Sequence, residues 1–113
     1  MPLKIELDIF SGRPNPTWAL GERANAQLEA MIQGALPAQG NTNLPGLGYR
    51  GFILHRPETL RVYRGQIIRE PADKVEKKEA AGFGNRELEL WLLQTAKTHI
   101  DPALWDIVRD ALR

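Results

Sequence analysis

A rigid polar turn, Ser-Gly-Arg-Pro-Asn-Pro at positions 11–16, carries side chains well suited to ligand recognition. Arg13 and Asn15 each precede a proline, which biases the residue before it towards an extended backbone. Arginine presents a planar fork of donors and asparagine both donates and accepts, so the turn holds two recognition groups in fixed directions. Trp18 follows the turn and belongs to no apolar periodicity. We therefore expect Arg13, Asn15 and Trp18 to surround one site.

The competing interpretation of this turn is purely structural. In that case Asn15 caps the turn and Arg13 pairs with a nearby acid such as Asp8. The two interpretations differ in what an alanine substitution does. If the turn serves a site, replacing Arg13 or Asn15 leaves the free energy of unfolding within about 1 kcal/mol of wild type and abolishes binding.

Segment 49–69 supplies a second group of binding side chains, with five arginines against one acid. The arginines are Arg50, Arg56, Arg61, Arg64 and Arg69, and the acid is Glu58. Arg50 and Arg61 fall on neighbouring predicted strands, and on a shared face they would clamp a carboxylate or phosphate. The alternative is that they are solvated edge charges. Arg50 and Arg61 thus join the turn residues as predicted ligand-binding groups for an anionic small molecule or a peptide.

Side chains for catalysis or metal binding are sparse. The chain has no cysteine, and its two histidines, His55 and His99, lack the spacing of helical zinc ligands. We therefore expect no metal and no cofactor, and we assign no catalytic residue. Whether the chain is an enzyme stays open, and the enzyme alternative uses Asp8, His55 and Tyr63, with His55 as acid or base. Residues 46–51 read GLGYRG but precede a predicted strand, whereas a dinucleotide fingerprint precedes a helix.

Composition narrows the class of protein further. No apolar run approaches the ~20 residues of a membrane helix, and the N-terminal residues alternate apolar with charged side chains, unlike a signal peptide. The absence of cysteine suits a reducing cytoplasm. Net charge is +1 and no nucleic-acid-binding motif is present. We expect a soluble cytoplasmic protein that binds neither membranes nor nucleic acid.

Hydrophobic periodicity predicts a single α+β domain over residues 1–113. It has two layers, with about four mostly antiparallel strands packed by three helices in the order β-α-β-β-β-α-α. The predicted strands are 3–10, 49–55, 60–63 and 66–69, and the predicted helices are 22–33, 85–97 and 102 to the C-terminus. Residues 17–20 are expected to lead into the first helix.

Two segments have no clear periodicity, and one apolar set marks the core. Residues 35–48 are predicted to be a surface loop because they are rich in glycine and proline. Residues 71–84 are predicted to be a charged linker or a short helix. The predicted core residues are Ile5, Leu7, Leu28, Ile32, Leu92, Ile107 and Val108.

Three sequence blocks, FSGRPNPTWAL, LGYRGFIL and LELWLLQTA, resemble small bacterial proteins of unassigned function that share such blocks. The resemblance covers nearly the whole chain and implies that the three blocks belong to one domain, but it brings no activity with it. The residues themselves predict a small binding or accessory module for an anionic small molecule or a peptide. Besides the enzyme, a third alternative is an inhibitor or immunity factor that binds one protein partner, which requires a contiguous exposed apolar patch.

Overall fold

A computed structural model describes residues 3–10, 12, 14–34, 36–37, 48–56, 59–63, 66–69, 77–79 and 87–112. Its strands are β1 (Leu3–Leu7), β2 (Thr17–Leu20), β3 (Leu36–Pro37), β4 (Phe52–His55), β5 (Leu60–Tyr63), β6 (Gln66–Arg69) and β7 (Lys77–Glu79). Its helices are α1 (Glu22–Gln33), α2 (Glu87–Ala96) and α3 (Pro102–Ala111).

The strands of the described part form one antiparallel sheet in the order β2-β1-β4-β5-β6-β7-β3. The predicted α+β, two-layer class with three helices is confirmed. Strands β2-β1-β4-β5 make a four-stranded antiparallel unit, and the remaining strands continue the sheet on the β5 side. Neighbours in sequence pair directly at β1–β2, β4–β5, β5–β6 and β6–β7, with four residues between β4 and β5 and two between β5 and β6.

Residues 17–20 form strand β2, which the sequence analysis did not identify. Their side chains alternate exposed and buried, and the strand pairs with β1 from Thr17 opposite Glu6 to Leu20 opposite Leu3. Four residues are too few for periodicity to separate a strand from the approach to a helix. The polar turn at 11–16 is therefore part of the β1–β2 hairpin connection.

The core lies between one face of the sheet and the helices. Strand β1 alternates buried and more exposed residues, and its Ile5 lies between Trp18 of β2 and Leu54 of β4. Each helix contributes to this core, through Leu28, Leu92 and Val108, which are completely buried. The buried apolar cluster consists of Leu3, Ile5, Leu7, Trp18, Leu20, Leu28, Phe52, Leu54, Leu60, Val62, Ile67, Leu88, Leu92, Leu93, Ala96, Ile100, Val108 and Leu112.

One predicted core residue is wrong and another is only partly buried. Ile107 is 59% exposed. The apolar residues of α3 cover more than one helical face, and the indole Nε1 of Trp105 donates to the carbonyl of Leu93 at 3.0 Å. Ile107 lies about 200° around the helix from Trp105 and so points away from that contact. Ile32 packs against the core from a half-buried position.

The two segments without periodicity each contribute a short strand. Strand β3 lies in segment 35–48, β7 lies in segment 71–84, and the two pair with each other. The rest of these predictions, apart from Gly48, lies outside the described residues. Helix α3 begins where its sequence signal indicates, because Asp101 accepts a hydrogen bond from the Ala103 amide at 2.9 Å. Among the helices described, none is long and apolar enough to cross a membrane.

Candidate functional site

The face of the sheet opposite the core, which we call the open face, carries several polar side chains. The register places Glu6 of β1 beside Ile53 of β4, and Ile53 beside Arg61 of β5. These three residues are half-buried, whereas their neighbours along each strand are buried in the core. Alternation along antiparallel strands thus brings Glu6 and Arg61 to one surface.

A connected set of hydrogen bonds and ion pairs extends along this surface, and we call it the polar network. Its members are Glu6, Asp8, Asn15, Arg50, His55 and Arg61. The network contains three of the five predicted binding residues, together with two of the three residues of the enzyme alternative.

Asn15 is the residue that ties the 11–16 turn to the end of β1. Its Oδ1 accepts hydrogen bonds from the amides of Ile9 at 3.1 Å and Phe10 at 2.8 Å. Its Nδ2 donates to Glu6 Oε2 at 2.9 Å and to Asp8 Oδ1 at 3.3 Å. One amide group therefore closes the hairpin connection and orients two carboxylates at the same time.

Two arginines form ion pairs with Asp8. Arg61 Nη1 donates to Asp8 Oδ2 at 2.6 Å, and Arg50 Nη2 donates to Oδ1 at 2.9 Å. Arg61 Nη1 also donates to the carbonyl of Arg50 at 2.9 Å. Burial raises the pKa of Asp8, but the hydrogen bonds from Arg61 and Arg50 outweigh it and bring the pKa below its ordinary value. Arg50 and Arg61 do clamp a carboxylate, and that carboxylate belongs to the protein itself.

An irregularity in the β1–β4 pair turns Arg50 towards the open face. Regular alternation from Phe52 would direct position 50 to the core. Asp8 instead faces two residues, since its amide donates to the Gly51 carbonyl at 3.0 Å and the Arg50 amide donates to the Asp8 carbonyl at 2.8 Å. This is the pattern of a β-bulge, which shifts the alternation by one residue.

Gly51 makes this bulge possible. Its φ is +98°, and a Cβ there would lie 2.4 Å from the Val62 carbonyl oxygen of β5. Only glycine tolerates both the positive φ and this close approach. The glycine-rich stretch 46–51 therefore has a packing reason at its last residue, and it leads into strand β4 rather than into a helix.

At the other end of the network, His55 pairs with Glu6. The distance from His55 Nε2 to Glu6 Oε1 is 2.9 Å, and the side chains are 37% and 23% exposed. Burial raises the pKa of Glu6, but the hydrogen bonds from Asn15 and His55 bring it below its ordinary value. His55 thus has a carboxylate partner and access to solvent.

Not every predicted site residue joins the network. Arg13 lies outside the described residues. Trp18 is 5% exposed and lies in the core, where its Nε1 donates to Thr95 Oγ1 at 3.0 Å. Tyr63 of the enzyme alternative is also buried, and its ring centroid lies 5.7 Å from that of Tyr49. The carboxylate that pairs with His55 is Glu6 rather than Asp8.

Glu6 is not among the predicted site residues, although the sequence contains a signal for it. Glu6 and Asp8 occupy alternate positions of the N-terminal strand pattern, so they belong on the same face. What the pattern does not give is the neighbouring strand, because strand pairing joins residues such as Glu6 and His55 that are 49 positions apart.

The described part of the chain offers little for a metal site or for an apolar docking surface. No group of three or more His, Asp or Glu side chains there is arranged to hold a metal ion. The large hydrophobic side chains exposed in the same residues are Leu90 on α2 and Ile107 on α3.

Comparison with known proteins gives no match, whether with family models, with curated proteins or with solved structures.

Proposed function

We propose that this chain is a small binding or accessory module that recognises an anionic small molecule or an anionic peptide at the open face. The observation that carries the proposal is the arrangement around Asp8. Two guanidinium groups bind one carboxylate there, and the Arg50 side chain remains partly exposed to solvent. Guanidinium groups are the preferred protein partners of carboxylates and phosphates.

Arg50 is the group proposed to contact the ligand. Its side chain is 31% exposed, whereas that of Arg61 is 12% exposed. Asp8 and the bulge hold the Arg50 guanidinium in place before a ligand arrives, so binding costs less ordering entropy than it would with a free surface arginine. Arg61 holds Asp8 through its own hydrogen bond, and Asn15 acts as a positioning residue for the Asp8 carboxylate.

The proposed test is isothermal titration calorimetry with inorganic phosphate, citrate and a short blocked peptide of aspartate and glutamate. An amide-matched peptide of asparagine and glutamine serves as the uncharged control. Binding of phosphate or citrate alone indicates a small-molecule site, and binding of the acidic peptide alone indicates a peptide site. We expect saturable binding to at least one anionic probe and none to the uncharged peptide.

Two arginine variants make this test specific. Arg50→Gln removes the proposed contact, and we expect it to weaken binding at least about tenfold, the equivalent of one charge-assisted hydrogen bond. Arg56→Gln is the matched control, because Arg56 also makes a 2.9 Å ion pair, with Glu29, and is not part of the network. Equal losses in both variants, or no binding of any anionic probe, would contradict the proposal.

The Glu6–His55 pair favours a second candidate, a metal-independent enzyme that uses His55 as a general base. A carboxylate hydrogen-bonded to an exposed imidazole is the arrangement that orients such a base. This candidate predicts slow hydrolysis of activated esters or phosphomonoesters that His55→Gln abolishes and Arg56→Gln leaves unchanged. A cytoplasmic location is part of either proposal, and the lack of cysteine supports it.

A further inference from the structure

A small cavity lies where the end of helix α2 meets the start of helix α3. Its volume is about 250 Å³, and it is lined by Lys97, Pro102, Trp105 and Asp106. Pockets for drug-sized ligands are ~300–1,000 Å³, so a cavity of this size suits a smaller molecule. None of the four residues belongs to the polar network, so the cavity is separate from the anion site proposed above.

The helical repeat of α3 places three of the lining residues on one side of that helix. Pro102 is its first residue, and Trp105 and Asp106 follow at the i+3 and i+4 positions. The fourth lining residue, Lys97, comes directly after Ala96, the last residue of α2. The cavity is therefore built by the α2–α3 pair rather than by one helix.

Trp105 gives the cavity an aromatic wall of fixed orientation. Its Nε1 donates to the Leu93 carbonyl at 3.0 Å. In a continuing α-helix the Lys97 amide would donate to this carbonyl, but it donates to the Gln94 carbonyl at 3.3 Å instead. The indole thus satisfies a backbone group that the end of α2 leaves unpaired. Lys97 Nζ and Arg109 Cζ lie 5.4 Å and 5.5 Å from the ring centroid, within cation–π range.

Two opposite charges line the same cavity without pairing. Lys97 and Asp106 are both exposed. Within the described ranges, neither forms an ion pair, with the other or with a third residue. An ammonium group has three donors, and a carboxylate accepts on both oxygens. The cavity therefore offers a cation and an anion to the same small ligand.

We propose that this cavity binds a free α-amino acid with an aromatic side chain. The ligand carboxylate pairs with Lys97, its ammonium group donates to Asp106, and its ring packs against Trp105 and Pro102. A ligand with a carboxylate alone would leave Asp106 facing a like charge, and a ligand with an ammonium group alone would do the same to Lys97. A zwitterion complements both charges. The ring is favoured because aromatic rings pack well in offset or edge-on contact with an indole.

A nuclear magnetic resonance titration of the full chain with phenylalanine tests the proposal. The observed signal is the Nε1–H of Trp105, identified by its loss in Trp105→Phe, and the signals of Trp18 and Trp91 are internal controls. Three further probes each lack one feature: phenylpropionate lacks the ammonium group, phenethylamine lacks the carboxylate, and alanine lacks the ring. We expect a saturable shift with phenylalanine and a dissociation constant at least about threefold higher for each of the other probes.

Two charge variants assign each ligand group to one residue. Lys97→Gln should weaken phenylalanine binding at least about threefold but should not weaken phenethylamine binding, because that probe has no carboxylate. Asp106→Asn should likewise weaken phenylalanine binding but not phenylpropionate binding, because that probe has no ammonium group. Lys4→Gln removes an exposed lysine of β1, and Arg50→Gln removes the proposed anion contact on the open face. Both controls should bind phenylalanine like wild type.

Three results would overturn the proposal. They are the absence of a saturable Trp105 shift with phenylalanine, binding of any of the other three probes as tightly as phenylalanine, and unchanged phenylalanine binding in Lys97→Gln or Asp106→Asn. Equally tight binding of phenylpropionate would make the cavity a site for aromatic anions instead. None of these results bears on the open face, because the cavity and the polar network share no residue.

Discussion

Replacement of Asn15 by alanine should destabilise the domain substantially. The substitution removes two hydrogen bonds to backbone amides and two to carboxylates. A neutral hydrogen bond contributes about 0.5–1.5 kcal/mol net, and a bond to a charged group more. All four are partly buried, so water replaces some of what is lost. We expect the free energy of unfolding to fall by about 2–4 kcal/mol.

This value separates the two interpretations of the polar turn. A turn that serves only a ligand allows Asn15→Ala with a loss within about 1 kcal/mol, and the four hydrogen bonds predict a larger loss. Urea unfolding followed by circular dichroism measures it, with an unchanged m-value as the check that the unfolded state is the same. Asn25→Ala on helix α1 is the control for replacing a half-buried asparagine.

A second variant, Asn15→Asp, tests the charge environment. It keeps an oxygen for the two amides but places a third carboxylate beside Glu6 and Asp8. We expect it to be at least as unstable as Asn15→Ala at pH 7 and to recover relative to wild type when acid protonates it. The reasoning is refuted if Asn15→Ala loses less than about 1 kcal/mol and Asn15→Asp is equally stable.

Further predictions concern the bulge, the core and the acid dependence. Gly51→Ala should lower the free energy of unfolding by more than about 2 kcal/mol in urea, because the new Cβ meets the Val62 carbonyl oxygen and the positive φ is strained for alanine. An unchanged urea midpoint would contradict the close approach. Tyr49→Phe should lower the free energy of unfolding by about 1–3 kcal/mol in the same assay, because it removes the hydroxyl that donates to the buried Glu89 carboxylate. An unchanged free energy of unfolding would contradict the importance of this bond. The pKa of Asp8 is below its ordinary 3.8 in the folded state, so its contribution to stability is present above that pH and is lost as the pH falls through the lower folded value. Asp8→Asn should be less stable than wild type at pH 7, and its free energy of unfolding should change less as acid is added. An acid profile parallel to that of wild type would contradict the pairing of Asp8 with the arginines.

The elements that the sequence predicts well are those with a periodic apolar pattern or with a turn or cap signal at one end. Helix α1 has the predicted bounds, and strands β5 and β6 coincide with the predicted ranges. Helix α3 begins at Pro102, directly after the capping Asp101, where local chemistry alone determines the start. The rotation of α3 about its axis is a different matter, since the packing of Trp105 against α2 decides it and leaves Ile107 exposed.

The candidate site depends on pairing between strands that are distant in sequence, so the sequence alone does not predict which side chains meet. Of the five residues predicted as a binding set, Asn15, Arg50 and Arg61 share one network in the fold, whereas Trp18 lies in the core. All three of these network residues bond to Asp8. Proximity in sequence instead suggests Arg13 as the partner of Asp8. The pairing with Arg50 requires both the β1–β4 register and the bulge at Gly51, neither of which produces a local sequence pattern.

The most direct test of the proposed anion site is a nuclear magnetic resonance titration of the labelled chain that follows the Arg50 side-chain Nε–H signal. Phosphate, citrate and the acidic peptide are the probes, and the Nε–H signals of the remaining arginines serve as internal controls. We expect a saturable shift of the Arg50 signal with at least one probe, accompanied by shifts of the backbone amides of Asp8 and Gly51. No saturable shift at Arg50, or shifts of equal size at Arg23 and Arg109 on the exposed faces of α1 and α3, would contradict it.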